Sequence, residues 1–349
     1  MQPLESIDIN FKVNTDIKKN DICFYSVLQT PFSIHGVHYD DGKFRRMPEK
    51  IAKTVNPGVH YLHSNTSGGR VRFKTNSKYI AISTKLANVG KMDHFALTGS
   101  AGFDLFVDNH FVTSFRPPFD IEDSYQSIHE FTDGAMRDIL INFPLYSDVC
   151  QLYIGLQKDA DVDAPTPYGV EKPVVFYGSS ITQGGCASRP GNSYPAILSR
   201  WFDFDFVNLG FSGNAKGEQE IARYIADLEM GMFVLDYDHN APDLAHLQKT
   251  HYAFYETVRA AHPHIPIIMM SSITMPWTQD HYFERRDTIC NSYCKAREQG
   301  DENVYFWDGS KEFSAYADYG TVEGSHPNDY GFHGMAEGLR DLFTQLLAK

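Results

Sequence analysis

Two regimes of hydrophobic and polar patterning divide the chain. Up to about residue 155, short segments alternate polar and apolar residues or are rich in β-branched and aromatic residues, which is typical of half-buried strands. These segments are residues 70–74, 79–85, 104–112 and 139–145, and turn-forming clusters at 40–42 and 65–69 separate or precede them. We therefore expect an all-β, jelly-roll-like sandwich over residues 1–160.

A stretch rich in Pro, Asp and Ala at 159–173 has the composition of an exposed connector. After it, five short apolar runs suited to strands buried on both faces alternate with amphipathic stretches of helical length. The runs are 174–177, 206–209, 232–236, 265–270 and 304–307, and the helical stretches are 193–202, 218–228, 244–261, 282–299 and 331–347. The pattern predicts a three-layer α/β/α domain of flavodoxin-like type over residues 173–349, whose parallel sheet binds ligands beyond the carboxyl ends of its strands.

Charge and composition narrow the classes of function. The 349 residues carry a formal net charge of −13, and the resulting field opposes binding to phosphate backbones and anionic lipid headgroups. We expect no nucleic-acid partner. No apolar run approaches the roughly 18 residues that a membrane-spanning helix requires, so we expect no membrane partner either.

The start of the chain lacks the basic and apolar regions of a signal peptide. Five cysteines, an odd number spread thinly over the chain, do not form the pattern of a disulfide framework. Both features favour the cytoplasm, although a secreted protein whose signal has been removed would have the same sequence.

Residues with catalytic potential follow the predicted strands in order. Ser180 follows the first strand, Gly213 the second and Asn240 the third, while His326 lies in the last loop, three residues after Glu323. Each alone has an ordinary explanation, because Ser caps helices, Gly ends strands and Asn forms turns. Together, at one edge of a parallel sheet, they supply a hydroxyl nucleophile, an imidazole base and hydrogen-bond donors for an oxyanion.

These segments resemble the motifs of the SGNH hydrolase superfamily, also called GDSL-type esterases. The similar segments are 178–182 for the first block, 208–213 for the second, Asn240 for the third and 323–326 for the last. Two residues depart from the family pattern, since Ser179 and Glu323 stand where Asp is usual. The change at Ser179 leaves the attacking hydroxyl untouched, and we expect it to have little catalytic consequence.

The resemblance implies a serine esterase. In such an enzyme Ser180 Oγ attacks the ester carbonyl while His326 takes its proton. The backbone N–H groups of Ser180 and Gly213 and the side-chain amide of Asn240 would bind the oxyanion. The third member of the triad is in question, because Glu323 is one methylene longer than Asp and a backbone carbonyl could orient His326 instead.

The resemblance extends to the N-terminal half, where residues 44–48, 66–73 and 102–108 are similar to a β-sandwich module found ahead of certain SGNH esterases. The extended loop 180–191 also recurs in that subgroup, whose characterised members mostly remove acetyl groups from plant polysaccharides. The resemblance thus implies an acetylated oligosaccharide or polysaccharide of the xylan or mannan type as substrate, and no cofactor. Two alternatives stay open: an acyltransferase using the same Ser-His site, and a non-catalytic carbohydrate-binding protein.

Two further residues are candidates for substrate contact. Trp277 follows a predicted strand and could stack on a sugar ring, with burial against the sandwich as the alternative, and Arg189 lies in the extended loop. Five other residues are of metal-ligating type: Asp236, Asp238, His239, His262 and His264. None of the strong metal-binding spacings is present among them, so we expect no metal site.

Overall fold

The computed structural model describes residues 1–7, 13–273 and 279–347. The chain divides into two compact units. The first comprises Met1–Arg46, Ser64–Pro167 and Ser188–Gly191, and the second comprises Met47–His63, Tyr168–Ala187 and Asn192–Lys349. Within the described segments, no helix is both long and apolar enough to cross a membrane.

The first unit is an antiparallel β-sandwich, as the alternating pattern predicts. Its strands are β1 Ile22–Ser26, β2 Ser33–His35, β3 His38–Asp40, β4 Lys43–Arg45, β5 Arg70–Thr75, β6 Tyr79–Asn88, β7 Phe103–Val107, β8 His110–Phe115, β9 Ser124–Glu130, β10 Arg137–Asn142, β11 Asp148–Gln157 and β12 Val162–Asp163. One sheet has the order β1-β11-β6-β9 and the other β12-β5-β10-β7-β8, with β2 also paired to β5 and β3 paired to β4. Two short helices, Leu4–Ile7 and Leu97–Ser100, complete the unit.

The core of the sandwich lies between the two sheets. Alternate residues of β10, such as Ile139 and Ile141, and of β6, such as Ile80 and Ile82, are fully buried in one apolar cluster. Because side chains on a strand alternate between its two faces, this alternation is what lets each sheet contribute one apolar face to a shared core.

The prediction of a single strand over residues 104–112 is wrong. The structure has two strands there, β7 and β8, joined by a two-residue turn at Asp108 and Asn109. Both turn residues have positive φ, 48° and 69°, as a type I′ hairpin turn requires. The Asp-Asn pair adopts this conformation without the glycine that usually marks such a turn in a sequence.

The second unit contains a five-stranded parallel sheet. Its strands are β13 Val170–Gly178, β14 Phe204–Gly210, β15 Met232–Asp236, β16 Ile267–Met270 and β17 Val304–Trp307, in the order β14-β13-β15-β16-β17. The α-helices are Glu49–Val55, Pro57–Leu62, Ser180–Gln183, Tyr194–Phe202, Gln219–Ala226, Leu244–Ala261, Tyr282–Glu298, Gly309–Glu312 and Asp329–Leu347. Short 3₁₀ turns in this unit cover Asp238–Asn240 and Ser314–Tyr316, and a further turn, Pro190–Asn192, begins in residues of the sandwich unit.

The longer helices of this unit pack in two groups. Gln219–Ala226 contacts Leu244–Ala261, which contacts Tyr282–Glu298, whereas Tyr194–Phe202 contacts Asp329–Leu347. The buried strands of a parallel sheet need helices on both faces, and these two groups provide them. The predicted α/β fold is confirmed.

Two segments fall in a different unit from the one expected at the sequence boundary. Met47–His63, expected within the sandwich, belongs to the α/β unit and forms two helices that the strand-only reading of this region missed. These helices are too short for a clear 3.6-residue period, but Asn56 caps the second by accepting from Val59 N (2.9 Å), and Pro57 follows as its first residue. Ser188–Gly191 belongs to the sandwich unit.

Gly178 ends strand β13 in a space that has no room for a side chain. A Cβ there would lie 2.1 Å from Thr182 Oγ1 and 2.4 Å from the Asp236 backbone oxygen. We predict that Gly178→Ala lowers the free energy of unfolding by about 3 kcal/mol, measured by urea denaturation. Gly231→Ala, directly before strand β15 of the same sheet, is the matched control, because the nearest neighbour of its added Cβ would be Lys172 Cβ at 3.2 Å. Equal losses in the two variants would contradict the prediction.

Candidate active site

Ser180 lies on a one-turn helix, Ser180–Gln183, that follows strand β13 directly. Ser179 is the N-cap of this helix, and its hydroxyl accepts a hydrogen bond from Ile181 N at 3.1 Å. Gly184 ends the helix with φ of 98°, a left-handed conformation that glycine adopts without strain. Ser179 therefore supplies the capping oxygen, and the backbone N–H of Ser180 lies in the first turn, where N–H groups have no acceptor within the helix.

A hydrogen-bonded relay joins Ser180 to the last loop of the unit. Ser180 Oγ lies 2.8 Å from His326 Nε2, and His326 Nδ1 lies 2.6 Å from Glu323 Oε1. The same Glu323 oxygen accepts from the His326 backbone N–H at 3.0 Å. The Glu323 carboxylate therefore occupies the third position of the relay, for which the sequence left a backbone carbonyl as the alternative.

Gly213 and Asn240 lie in the segments that follow strands β14 and β15, and a hydrogen bond joins these two segments. The Asn240 amide donates to the backbone oxygen of Phe211 at 2.9 Å and retains a second N–H. Gly213 has φ of 67°, and the space around its Cα is open. Among the described residues, the Gly213 N–H donates no hydrogen bond within the protein. The site thus holds N–H groups from three loops that can bind an oxyanion.

Two buried amide side chains that sequence reasoning gave no role tie these loops to each other. Gln183 Oε1 accepts from the backbone N–H of Ser212 at 3.0 Å. Asn208 Nδ2 donates to the Thr182 carbonyl oxygen at 2.7 Å, and Asn208 Oδ1 accepts from Gly210 N at 2.9 Å. The only sequence signal for Gln183 is its place one helical turn after Ser180.

A buried carboxyl group lies behind the nucleophile helix. Asp236, at the end of β15, accepts hydrogen bonds at Oδ2 from Thr182 Oγ1 (2.8 Å) and from the Tyr194 hydroxyl (3.0 Å). Burial raises the pKa of Asp236 to about 7, and the two hydroxyl donors oppose this effect. Asp236 is one of the residues of metal-ligating type named above, and in the structure one of its oxygens accepts from two hydroxyls.

Three of the other residues of metal-ligating type, Asp238, His239 and His262, each contact a different group. Asp238 pairs with Arg285, and His262 Nε2 lies 3.0 Å from the Ala226 carbonyl oxygen. His239 Nε2 lies 3.1 Å from Ser272 Oγ. Burial lowers the pKa of His239 to about 3, with smaller effects from the nearby His326 and Arg285, so this imidazole is neutral.

Neither residue singled out for substrate contact is tested by the structure. Trp277 lies outside the described residues. The Arg189 guanidinium packs over the ring of Phe111 at 3.7 Å and lies 3.4 Å from Asp104 Oδ2, so it is held by the sandwich unit. A role of either residue in substrate binding stays a prediction.

Both units match known protein families. Residues 171–344 match the GDSL-like lipase/acylhydrolase family, and residues 22–162 match the N-terminus of SGNH-hydrolase-type esterases. The two matches cover the α/β unit and the sandwich respectively. Among curated proteins, the sequence has no significant match.

Solved structures share the fold over nearly the whole chain. A GDSL-like lipase from Bacteroides ovatus is 28% identical, with a TM-score of 0.84 over 94% of this chain and 98% of its own. A salicylyl-acyltransferase from a tetracycline biosynthetic pathway is 20% identical, with a TM-score of 0.78 over 94% and 98% of the two chains. A family two carbohydrate esterase from Clostridium thermocellum, in complex with cellohexaose, is 16% identical, with a TM-score of 0.62 over 91% and 99%.

The raised pKa of Asp236 predicts a specific dependence of stability on pH. Because the folded protein binds this proton more tightly than the unfolded chain does, stability should fall as pH rises from about 4 to 7 and then level off. In Asp236→Asn this contribution, about 4 kcal/mol in full, is absent. In urea denaturation from pH 4 to 8, the free energy of unfolding of Asp236→Asn should therefore rise relative to that of the wild type as pH increases to about 7. Asp227→Asn, which removes an exposed carboxyl group, is the control. A stability difference between Asp236→Asn and the wild type that does not change with pH would refute the raised pKa of Asp236.

Proposed function

This chain belongs to the SGNH hydrolases of the GDSL-like lipase/acylhydrolase type that carry an N-terminal sandwich module, and from this premise we propose that it removes acetyl groups from acetylated plant oligosaccharides or polysaccharides through an acyl-enzyme. The esterase or acylhydrolase activity follows from the family. The observation that carries the proposed chemistry is the unbroken relay from Ser180 Oγ through His326 to Glu323, with contacts of 2.8 and 2.6 Å.

In the proposed mechanism, Ser180 Oγ attacks the ester carbonyl while His326 Nε2 accepts its proton. Glu323 holds Nδ1 and stabilises the imidazolium that forms. The negative charge of the tetrahedral intermediate is bound by the N–H groups of Ser180, Gly213 and Asn240. His326 then gives its proton to the ester oxygen of the sugar, which departs as an alcohol and leaves an acetyl group on Ser180. In the second half, the imidazole takes a proton from an attacking water molecule and returns it to Ser180 Oγ as acetate departs.

Two observations support a neutral carbohydrate ester as the substrate. The net charge of −13 disfavours anionic substrates such as phosphorylated or polyanionic chains. The sandwich and α/β architecture is shared along the whole length of a family two carbohydrate esterase that binds cellohexaose. The acylated sugar and the position of its acetyl group are set by loop shape, which shared architecture does not determine.

A second candidate is an acyltransferase that delivers the acyl group to an alcohol instead of water. This candidate is supported by the fold shared with a salicylyl-acyltransferase, at a TM-score of 0.78. Both functions use the same acyl-enzyme and differ only in which hydroxyl reaches it. A purely carbohydrate-binding role is less well supported, because binding alone needs no hydrogen-bonded serine, histidine and glutamate.

Acetate release from acetylated xylo-, manno- and gluco-oligosaccharides tests the proposal. We predict that Ser180→Ala lowers the rate by a factor on the order of 10⁶, because the covalent route is lost. Ser179→Ala is the matched control, since it removes only the helix cap and should cost less than about tenfold. Equal acetate release by the wild type and Ser180→Ala would refute the assignment of Ser180 as the nucleophile. Acyl transfer to added alcohol at the expense of acetate would favour the acyltransferase, and no activity on any ester would favour the binding role.

The partly exposed Glu323 should matter less than a buried triad acid. We predict that Glu323→Ala lowers kcat by about 10²-fold, against roughly 10⁴-fold for a buried carboxylate, because 41% of this side chain is exposed and water screens its charge. Glu337→Ala is the control, since Glu337 lies 3.7 Å from His333 Nε2 in another Glu-His pair. A wild-type kcat in Glu323→Ala would show that the carboxylate has no catalytic role.

A further inference from the structure

Asn240 lies on a single 3₁₀ turn, Asp238–Asn240, which has little hydrogen bonding of its own. Within the turn, Asn240 N donates to the Tyr237 carbonyl oxygen at 2.9 Å and Ala241 N donates to that of Asp238 at 3.1 Å. One turn of 3₁₀ helix is a weak element, since its hydrogen-bond geometry is poor. The position of the Asn240 amide therefore depends on contacts from outside the turn.

Arg285, on the helix Tyr282–Glu298, supplies those contacts. Its Nε donates to Asp238 Oδ1 at 2.9 Å, and its Nη2 donates both to the Asp238 backbone oxygen and to that of Ala241, the latter at 2.9 Å. The second carboxylate oxygen of Asp238 accepts from Ser272 N at 3.0 Å. One guanidinium thus bonds the turn on both sides of Asn240.

Arg285 and Asp238 form an ion pair that is almost completely buried. The Arg285 and Asp238 side chains are only 5% and 1% exposed. Burying an ion pair brings little net stability, because the cost of removing two charges from water offsets their attraction. Such a pair can instead select one conformation. Within the described segments, the side-chain hydrogen bonds of Arg285 go to Asp238 and Ala241, which lie on either side of Asn240.

We propose that Arg285 is a positioning residue of the oxyanion hole, holding the Asp238–Asn240 turn so that the Asn240 amide faces the carbonyl oxygen of the substrate. This inference rests on the proposed function, because it assigns Arg285 a part in the same ester chemistry. A donor that acts on the transition state must be placed closely, and an error of 1 Å can cost about 10²-fold in rate. The planar fork of arginine suits this role, since it reaches the carboxylate and two carbonyls at once.

A double-mutant cycle on kcat and KM for acetate release tests the proposal. Asn240→Ala should lower kcat by about 10²- to 10³-fold. Arg285→Gln should lower kcat by about 10- to 100-fold with KM nearly unchanged, because the loss falls on the transition state. The double variant should lie within about threefold of Asn240→Ala, since Arg285 acts through Asn240. Losses that multiply in the double variant would overturn the proposal.

Arg259→Gln is the matched control in the same unit. Arg259 Nε donates to Asp301 Oδ2 at 2.8 Å, and its other nitrogens donate to the carbonyl oxygens of His262, Ile265 and Asn303, so it also bonds one carboxylate and several carbonyls, in a partly buried place. It should leave kcat within about threefold of the wild type even if it lowers the unfolding midpoint as much as Arg285→Gln does. Equal effects of the two variants on kcat would overturn the positioning role.

Two milder variants make the same test if Arg285→Gln does not fold, as judged by near-UV circular dichroism. Arg285→Lys keeps the charge but cannot span both carbonyls, and Asp238→Asn keeps the shape of the partner. Each variant should lower kcat and leave KM nearly unchanged, and a wild-type kcat in either variant would overturn the proposal. The proposal would also be overturned if all three variants failed to fold while Arg259→Gln folded, because Arg285 would then be needed for folding itself. Wild-type hydrolysis that survives Ser180→Ala would instead overturn the proposed function.

Discussion

A closed circuit of hydrogen bonds links the three strand exits from which the site is built. Ser179 N donates to the Asp236 carbonyl oxygen (3.2 Å), Phe211 N donates to that of Gly178 (2.9 Å), and the Asn240 amide returns to the Phe211 oxygen (2.9 Å). Strands β13, β14 and β15 end side by side because the sheet is parallel. The circuit fixes the position of Ser180 relative to the N–H groups proposed to bind the oxyanion, and the proposed chemistry depends on that relation.

Buried polar groups behind the circuit give it a single arrangement. Asp236 receives two hydroxyl donors, from Thr182 and Tyr194, and Asp238 receives the Arg285 guanidinium. Each of these groups is costly to bury without its partner, so any movement that breaks one contact leaves an unpaired polar atom in a dry site. The unit therefore holds its donors in place before a substrate arrives, which is the condition for electrostatic stabilisation of a transition state.

Sequence patterning predicts the α/β unit well because its elements are determined locally. The strands Met232–Asp236 and Val304–Trp307 begin and end where the predicted runs do, since nearly all their residues are apolar or aromatic and are buried or half-buried. The site is less accessible to such reasoning. Ser180 and His326 could be found from their order and position, whereas Arg285 lies in the later helix Tyr282–Glu298, which carries no motif. Its contacts with the Asn240 turn arise only when the helix packs, and no local pattern records them.

The exchange of aspartate for glutamate before His326 shows how the geometry of a short turn can absorb a longer side chain. The single oxygen Oε1 of Glu323 accepts from both the backbone N–H and Nδ1 of His326, at 3.0 and 2.6 Å. The i−3 spacing lets the extra methylene fold the carboxylate back over its own turn, so the imidazole meets an oriented acceptor. The carboxylate is also partly exposed to solvent, and water weakens its attraction to the imidazolium. We infer that Glu323 contributes more by orienting His326 than by stabilising its positive charge.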